Sequence, residues 1–245
     1  MIEANKIYNI DCIEGMKMLP DKSIDMILCD PPYGTTKNEW DKLIPFESLW
    51  EQYNRIIKPN GAILLFSQQP FTSQAVLSNL NMFRYEWIWQ KTKSTGFMNA
   101  KKMPLKSHEN ILVFYKKLPT YNPQGIIMGV RYKTGRTRKG NSRNYGKTGC
   151  GNAGYVQTTA NYPKDIISFS NPSNRGHLHP NAKPVDLLEY LIKTYTNEGE
   201  MILDNCMGSG STAIACINTK RNFIGFEISK EYCDIANERV NNYDR

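Results

Sequence analysis

The first hundred residues alternate between short apolar runs and amphipathic stretches, a pattern typical of repeated strand–helix–strand units. A run at 24–29 that is apolar except for Asp25 and an apolar run at 62–66 predict strands buried in a parallel sheet. Between them, apolar residues at 46, 49, 50, 53, 56 and 57 recur with a helical period, and the turn residues at 58–61 are expected to end that helix. Further strands are predicted at 7–10, 85–89 and 110–115, and a helix at 12–19.

The periodic pattern is lost between about Leu118 and Leu178 and then returns. This middle stretch is rich in Gly, Asn, Arg, Lys, Thr and Tyr, which indicates a loop-rich insertion or a small subdomain. Beyond it the sequence predicts helices at 185–194, 212–218 and 230–240, and strands at 201–204 and 223–227. The expected fold class is therefore α/β, with one doubly wound, mostly parallel sheet formed by 1–117 and 179–245, interrupted by an insertion at 118–178.

Composition excludes several classes of protein. Hydrophobic residues make up 40% of the chain and charged residues 22%, as in ordinary globular proteins. No run of apolar residues is long enough for a transmembrane helix and the first residues do not resemble a signal peptide, so we expect a cytoplasmic protein without a membrane partner. The six cysteines and three histidines are scattered, and we therefore expect no metal site.

The charge of the chain favours a polyanionic partner. The formal net charge is +8, and the segment from Lys116 to Lys147 holds nine Lys and Arg residues without a single Asp or Glu. Such a cluster suits a phosphate backbone, because each cation that neutralises a phosphate releases a counterion. The alternative is a solvated loop that binds nothing.

A glycine-containing turn follows the predicted strand that ends at Asp204. Gly208 and Gly210 allow a ligand to approach the backbone closely, and the helix that starts after them offers free amide donors. Glu227 ends the next strand, where nucleotide-binding α/β folds use an acid to accept hydrogen bonds from ribose hydroxyls. The segment predicts an adenosine-containing ligand, and its spacing differs from the GxGxxG of nicotinamide sites. A tight turn without a ligand is the alternative.

Asp30-Pro31-Pro32-Tyr33 follows a buried strand, at the edge where α/β sheets bind their ligands. An exocyclic base amine is a poor nucleophile because its lone pair is delocalised into the ring. Asp30 and a neighbouring carbonyl can accept its two hydrogens, and proline, which lacks an N–H, leaves a stiff strand end. Tyr33 offers a flat face on which an extruded base can stack. Alternatively, the prolines only end the strand.

Together these motifs resemble the DNA amino-methyltransferases, in which Asp-Pro-Pro-Tyr is the catalytic tetrapeptide and a Phe-x-Gly-x-Gly-like loop holds S-adenosylmethionine. The order, with the catalytic motif first and the cofactor loop last, resembles the circularly permuted β class of that family. Segments 9–25, 107–114 and 179–185 also resemble the family. The resemblance implies a circularly permuted, Rossmann-like methyltransferase sheet with a basic, loop-rich insertion.

The resemblance also implies a reaction: methyl transfer from S-adenosylmethionine to N6 of adenine in double-stranded DNA after base flipping. Asp at the head of the tetrapeptide favours adenine, whereas Ser is more often found there in enzymes for N4 of cytosine, which is the alternative base. The implied catalytic residues are Asp30, Pro31, Pro32 and Tyr33. The implied cofactor residues are Asp11, Cys12, Asp30, Lys183, Asp204, Cys206, Met207, Gly208, Ser209, Gly210, Ser211, Thr212, Glu227 and Ile228.

Within this implied cofactor site, Asp204 and residues 206–210 would surround the methionine part of the cofactor, and Glu227 would bind the ribose. Asp11 would lie near the adenine and Lys183 near the carboxylate end. Two positions depart from the family: Cys206 stands where Phe is common, which removes an aromatic contact to the cofactor, and Asn205 stands where Pro is usual.

The insertion 118–178 is expected to recognise the target sequence. Trp40 either lines the base pocket or anchors its loop on the core, while Trp87 and Trp89 are predicted to pack in the core. His108 and Glu109 are expected to be structural or to lie at the pocket edge. The predicted DNA-binding residues are Trp40, Arg131, Lys133, Arg136, Arg138, Lys139 and Arg143, with Asn144 and Gln157 as further candidates for base contacts.

Other functions stay open at this point. The same fold and cofactor could serve an RNA or a protein amide, and a degenerate site would leave a non-catalytic DNA-binding module. A hydride-transfer enzyme is a more distant alternative. The resemblance also allows a homodimer and a cognate restriction endonuclease as partners.

Overall fold

The computed structural model describes residues 2–34, 41–133, 156–171 and 182–243. The chain divides into two compact units, of which the larger comprises Met1–Asn122 and Asp165–Arg245 and the smaller Pro123–Lys164. Within the described ranges, none of the helices combines the length and the apolar character that crossing a membrane requires.

Strands and helices alternate through most of the larger unit. The strands are β1 (Lys6–Asn9), β2 (Ile24–Cys29), β3 (Ile57–Ser67), β4 (Phe83–Thr95), β5 (Lys106–Phe114), β6 (Ile127–Lys133), β7 (Val156–Ala160), β8 (Ile166–Phe169), β9 (Met201–Asp204) and β10 (Asn222–Glu227). The helices are α1 (Cys12–Lys17), α2 (Phe46–Ile56), α3 (Phe71–Ser78), α4 (Val185–Tyr195), α5 (Ser211–Asn218) and α6 (Lys230–Asn241). The smaller unit contains the antiparallel pair β6–β7.

The eight strands of the main sheet follow the order β1-β10-β9-β2-β3-β5-β4-β8. From β1 to β3 all neighbours are parallel, β5 is antiparallel to both β3 and β4, and β8 is parallel to β4. The chain leaves β9 towards β10 and leaves β2 towards β3, so the winding direction reverses between β9 and β2. The predicted doubly wound, mostly parallel sheet is confirmed.

Helices cover both faces of this sheet. Alternate residues of β2 point to opposite sides, so that Met26 and Leu28 join the core under α4, α5 and α6. Ile27 and Cys29 join the second core, under α1, α2 and α3. Residues 26–29 of this strand are all apolar because they are buried on both faces of the sheet.

Several elements differ from their predicted bounds. Helix α2 ends at Ile56, one residue before the predicted end, and residues 58–61 belong to β3, which starts at Ile57 and whose pairing with β2 is interrupted at 58–61. Helix α3 was not predicted, and β8 lies in the predicted insertion although it pairs with β4. The packing role of Trp87 and Trp89 is confirmed: both are buried, and their indole N–H groups donate to the Tyr195 hydroxyl (2.7 Å) and the Phe169 carbonyl (3.1 Å).

Gly15 marks the tightest contact between α1 and the sheet. A Cβ atom built at this position would lie 2.7 Å from a ring carbon of the buried Phe226. We therefore expect Gly15→Ala to lower the free energy of unfolding by about 1–3 kcal/mol through overpacking. Inside a helix, alanine is otherwise favoured over glycine by about 1 kcal/mol. A destabilised Gly15→Ala variant would therefore indicate overpacking, because helix preference alone predicts a stabilised one.

Urea unfolding monitored by circular dichroism measures this effect. The control is Glu14→Ala at an exposed position of the same helix, which should change the stability by less than about 0.5 kcal/mol. A stabilised Gly15→Ala variant would contradict the packing assignment.

Candidate active site

Five parallel strands end at one edge of the sheet, and a polar residue lies at the end of each strand or just after it. In sheet order these residues are Asp11 after β1, Glu227 at the end of β10, Asp204 at the end of β9, Asp30 after β2 and Gln68 after β3. The reversal of winding between β9 and β2 lies in the middle of this row. Open α/β sheets bind their ligands in the crevice outside such a point.

Asp204 is buried at the start of the glycine-containing turn. Its Oδ1 atom accepts a hydrogen bond from the Cys206 amide (3.1 Å), and its Oδ2 atom accepts one from the Thr212 hydroxyl (2.6 Å). Burial raises the pKa of Asp204 to about 7, although both hydrogen bonds oppose this shift. Asp204 therefore sits near the midpoint of its titration at neutral pH.

The turn itself closes around Glu227. Gly208 and Gly210 have φ angles of 55° and 82°, a region in which glycine is not strained. The Gly208 amide donates to Oε2 of Glu227 and the Ser229 amide donates to Oε1, both at 2.8 Å. Each carboxylate oxygen keeps a second lone pair for a ligand hydroxyl. A Cβ at Gly208 would meet nothing within 4 Å, so the turn has an open side.

The remaining residues of the predicted cofactor set lie along the same edge, apart from Lys183. Asp11 caps α1 by accepting from the Ile13 and Glu14 amides, and buried Cys12 begins that helix. Met207 is buried, Ser209 and Ser211 accept from Arg239, and the exposed Ile228 accepts from Asn9 through its carbonyl.

The departure from the family at Asn205 has a structural counterpart. The buried Asn205 side chain accepts a 2.6 Å hydrogen bond from the Tyr53 hydroxyl and donates to the sulfur of Cys206 at 3.6 Å. The hydrogen bond from Tyr53 connects the turn to α2. A proline at this position could not make it.

The Asp-Pro-Pro-Tyr segment folds back on its own carboxylate. The Tyr33 hydroxyl donates to Oδ1 of Asp30 at 2.5 Å, and the Tyr33 ring packs against Phe71 with the ring centroids 5.1 Å apart. Pro31 is buried and Pro32 is half-buried. Burial raises the pKa of Asp30, while the nearby Lys183 ammonium lowers it less strongly.

Lys183 bridges the half-buried Asp30 to the buried carboxylate of Glu109. Its Nζ atom lies 2.7 Å from Oδ2 of Asp30 and 3.1 Å from Oε2 of Glu109. Glu109 also contacts Lys91 Nζ at 2.5 Å and accepts from the Gln68 side chain at 3.0 Å. We call Asp30, Lys183, Glu109 and Lys91 the charge network.

The charges of this network balance, with two carboxylates and two lysines. The side chains of Lys183, Glu109 and Lys91 are only 10%, 6% and 8% exposed. Burial lowers the pKa of Lys183, but the two carboxylates outweigh it and the net shift is upward. Burial raises the pKa of Glu109, but the two lysines outweigh it and the net shift is downward. Both shifts favour the ionised forms of Lys183 and Glu109.

Sequence reasoning did not find most of this network. The sequence analysis predicted that Lys183 lies near the carboxylate end of the cofactor and that Glu109 is structural or lies at the pocket edge. It assigned no role to Lys91 or Gln68. One signal was available: Glu109 directly precedes an apolar strand run, and a carboxylate buried there requires a cation. The identity of that cation could not be read from the sequence.

The predicted DNA-binding residues are not tested by the structure. Trp40, Arg136, Arg138, Lys139, Arg143 and Asn144 lie outside the described residues. Arg131 and Lys133 lie in β6 and Gln157 in β7, and the structure describes their backbone only. Target recognition by the predicted insertion 118–178 stays a prediction, and the compact smaller unit covers 123–164 of it.

A family profile described as DNA methylase, for the N6 and N4 enzymes, matches residues 24–238. The chain belongs to the N6/N4 DNA methylase family. The match includes the charge network, the glycine-containing turn and Glu227.

Individual relatives agree with this family. The type II methyltransferase M1.MboII of Moraxella bovis is 28% identical over 98% of this chain and 98% of its own length. The DNA adenine methyltransferase YhdJ of Escherichia coli K12 is 27% identical over 97% of this chain and 83% of its own. The crystal structure of the M1.HpyAVI–SAM complex superposes with a TM-score of 0.64 at 26% identity, covering 96% of this chain and 98% of the other.

The raised pKa of Asp204 predicts how stability depends on pH. The ordinary pKa of an Asp is 3.8, so between about pH 4 and pH 7 the folded protein holds a proton on Asp204 that the unfolded chain has lost. The contribution of Asp204 to the unfolding free energy therefore falls as the pH rises through this window, by up to about 1.4 kcal/mol per pH unit, and levels off above it.

The measurement compares urea unfolding of the wild type and of Asp204→Asn between pH 4 and pH 8. The unfolding free energy of the wild type minus that of Asp204→Asn should decrease as the pH rises to about 7. Asp21→Asn, at an exposed aspartate, serves as the control. A pH-independent difference for Asp204→Asn would refute the assignment.

Proposed function

We propose that this chain transfers a methyl group from S-adenosylmethionine to N6 of adenine in double-stranded DNA, after the base has been extruded. The observation that carries the proposal is the position of Asp30 on the strand next to the Asp204–Glu227 turn, across the reversal of winding. Family membership, the DNA adenine methyltransferase YhdJ and the SAM complex of M1.HpyAVI support it.

The turn fits this cofactor. Glu227, oriented by two backbone amides, accepts the ribose hydroxyls, and the open side of Gly208 gives access to the backbone. Asp204 and Asp30 would lie beside the methionine part, and their carboxylate forms would suit a sulfonium cation. S-adenosylmethionine supplies an electrophilic methyl group when it is bound. The half-buried Cys206 leaves more room at the turn than a phenylalanine would.

Asp30 activates the amine. Its Oδ2 atom stays with Lys183, and its Oδ1 atom, which the Tyr33 hydroxyl now occupies, becomes an acceptor for one amine hydrogen. The Pro31 carbonyl accepts the other hydrogen. Both interactions draw the nitrogen lone pair out of the ring, and the Tyr33 ring supports the base by stacking.

Lys183 acts as a positioning residue for Asp30. Burial and Glu109 both favour the protonated form of Asp30, which cannot accept from the amine with that oxygen, and Lys183 opposes them. The carboxylate is thus available to accept the hydrogen bond and to take the proton that the nitrogen loses after methyl transfer. Glu109 and Lys91 hold Lys183 in place from the other side.

The choice of adenine follows from Asp at the head of the tetrapeptide, and the name of YhdJ agrees with it. The family includes enzymes for N4 of cytosine, whose amine is activated in the same way. A cognate endonuclease and a homodimer are further expectations from the resemblance, and relatives such as M1.MboII carry type II names.

The decisive experiment incubates unmethylated plasmid DNA with the purified protein and S-adenosylmethionine, followed by single-molecule sequencing. We expect modified adenines within one short motif. Asp30→Ala should abolish modification while retaining cofactor affinity within about threefold, because Asp30 acts on the base. Glu227→Ala should instead weaken cofactor binding by about tenfold or more, because it removes two hydroxyl contacts.

Calorimetric titration with S-adenosylmethionine measures the cofactor affinity of the two variants and so distinguishes them.

In the sequencing experiment, modified cytosines would leave the proposed mechanism unchanged and would identify N4 of cytosine as the target. The absence of modified bases, with the cofactor bound, would refute DNA as the substrate. Near-normal turnover by Asp30→Ala would refute its catalytic role.

The positioning role of Lys183 predicts a shift of the pH–rate profile. In Lys183→Met, Asp30 loses the cation that lowers its pKa, so the acidic limb of kcat should move to higher pH. At pH 7 we expect kcat to fall about 10- to 100-fold and to recover partly as the pH rises. Lys183→Arg, which keeps the charge, should retain more activity.

Lys193→Met on α4 is the matched control, because this lysine is 44% exposed and pairs only locally, with Glu189. It should leave both kcat and the profile unchanged. A profile of Lys183→Met that is lower but parallel to that of the wild type would indicate a structural role only.

A further inference from the structure

The hairpin formed by β4 and β5 extends beyond the edge of the sheet that carries the active site. Ser67, the last residue of β3, pairs with Asn110, whereas β5 begins four residues earlier, at Lys106. At about 3.4 Å per residue, this places the start of β5 some 13 Å past the end of β3. The loop 96–105, which we call the hairpin tip, lies beyond that point.

Hydrogen bonds connect Lys106, the residue of β5 next to the hairpin tip, to the charge network. Lys106 donates to the Gln68 side chain at 3.0 Å, and Gln68 donates to Glu109 at 3.0 Å. Glu109 in turn contacts Lys183, which contacts Asp30. The hairpin tip therefore adjoins a residue that is linked through Gln68 to the charge network.

Large apolar side chains project from the hairpin tip into solvent. Phe97, Met98 and Met103 are 69%, 99% and 53% exposed. The backbone beneath them is nevertheless an ordered turn, in which the Asn99 amide donates to Gly96 and the Lys102 amide donates to Asn99. An ordered turn that presents apolar side chains outward is typical of an interaction site.

The charged residues along this stretch of the chain are all lysines. Five lysines and no acidic residue lie between 91 and 108, and Lys93, Lys101, Lys102 and Lys106 are exposed. This charge suits a polyanion. Apolar side chains flanked by cations match a nucleic acid, in which phosphates bind the lysines and bases accept apolar wedges or stacking rings.

We propose that the hairpin tip is a DNA-contacting element that assists base extrusion, separate from the smaller unit. Phe97 and Met98 pack against the bases beside the gap that the extruded base leaves, and Lys101 and Lys102 bind the flanking phosphates. Filling the gap opposes return of the base into the stack. The extrusion role rests on the proposed function, whereas DNA contact by the lysines does not.

The apolar contact is tested with the variant Phe97→Ala/Met98→Ala in single-turnover methylation. Two duplexes contain the motif found by sequencing, one fully paired and one with an abasic site opposite the target base. We expect a loss of about tenfold or more on the paired duplex and less than threefold on the other, where extrusion is already easy.

The matched control is Leu77→Ala/Leu80→Ala, whose side chains are 69% and 60% exposed and lie near the opposite end of β4. It should stay within about twofold of the wild type on both duplexes. Equal rates for Phe97→Ala/Met98→Ala and the wild type, or equal losses on both duplexes, would refute the extrusion role. Loss of self-association in sedimentation, without an effect on the paired duplex, would assign the hairpin tip to a second copy of this chain instead.

The lysine contacts are tested by binding to an arbitrary 30-base-pair duplex, which requires no turnover. For Lys101→Asn/Lys102→Asn, the slope of log K against log salt should become less steep by about 1.8, or about 0.9 for each lost phosphate contact. The control is Lys22→Asn/Lys220→Asn at the opposite edge of the sheet, where Asn tolerates the positive φ angles of 51° and 57°. An unchanged slope for Lys101→Asn/Lys102→Asn would refute DNA contact, whatever the sequencing experiment shows.

Discussion

Parallel strands of one sheet all end at the same edge, and this constraint brings the active site together. Asp11 and Glu227 are separated by most of the chain, yet the register that pairs Asn9 with Glu227 makes them neighbours. The same rule aligns Asp204 and Asp30, because β9 and β2 run side by side. Neither half of the chain contains a complete site, since the turn comes from the C-terminal part and Asp30 from the N-terminal part.

The carboxyl groups of buried Asp204 and half-buried Asp30 are stabilised in different ways. Asp204 is surrounded by neutral donors, and burial therefore brings its pKa close to neutrality. Asp30 faces a lysine whose own charge is secured by Glu109. Environments that separate the behaviour of two nearby carboxyl groups are a usual way to give them different tasks. In the proposed reaction, Asp30 acts on the base and Asp204 lies beside the cofactor.

The sequence predicted the parts of the fold that local signals determine. Strands β2 and β9 were predicted with their observed bounds, because apolar runs end there at Asp-Pro-Pro and at the glycine-containing turn. Helix α3 was not predicted because its apolar residues form no clear stripe. Residues 58–61 belong to β3, but the pairing with β2 is interrupted there, between Ile57 and Ala62, so the turn residues predicted at this point coincide with an irregularity of the strand. The contact of Lys183 with Asp30 joins residues far apart in the chain, and no periodic pattern reports such a pair.

The position of β2 has a consequence for how the protein is made on the ribosome. Ile27 and Leu203 are paired across adjacent strands, so one side of β2 has no partner until β9, at residues 201–204, has emerged. Until then, an apolar strand edge is exposed in the nascent chain, and such edges promote aggregation. The contact is also highly non-local, which slows folding. We therefore expect the nascent chain to be most prone to aggregation before β9 has been synthesised.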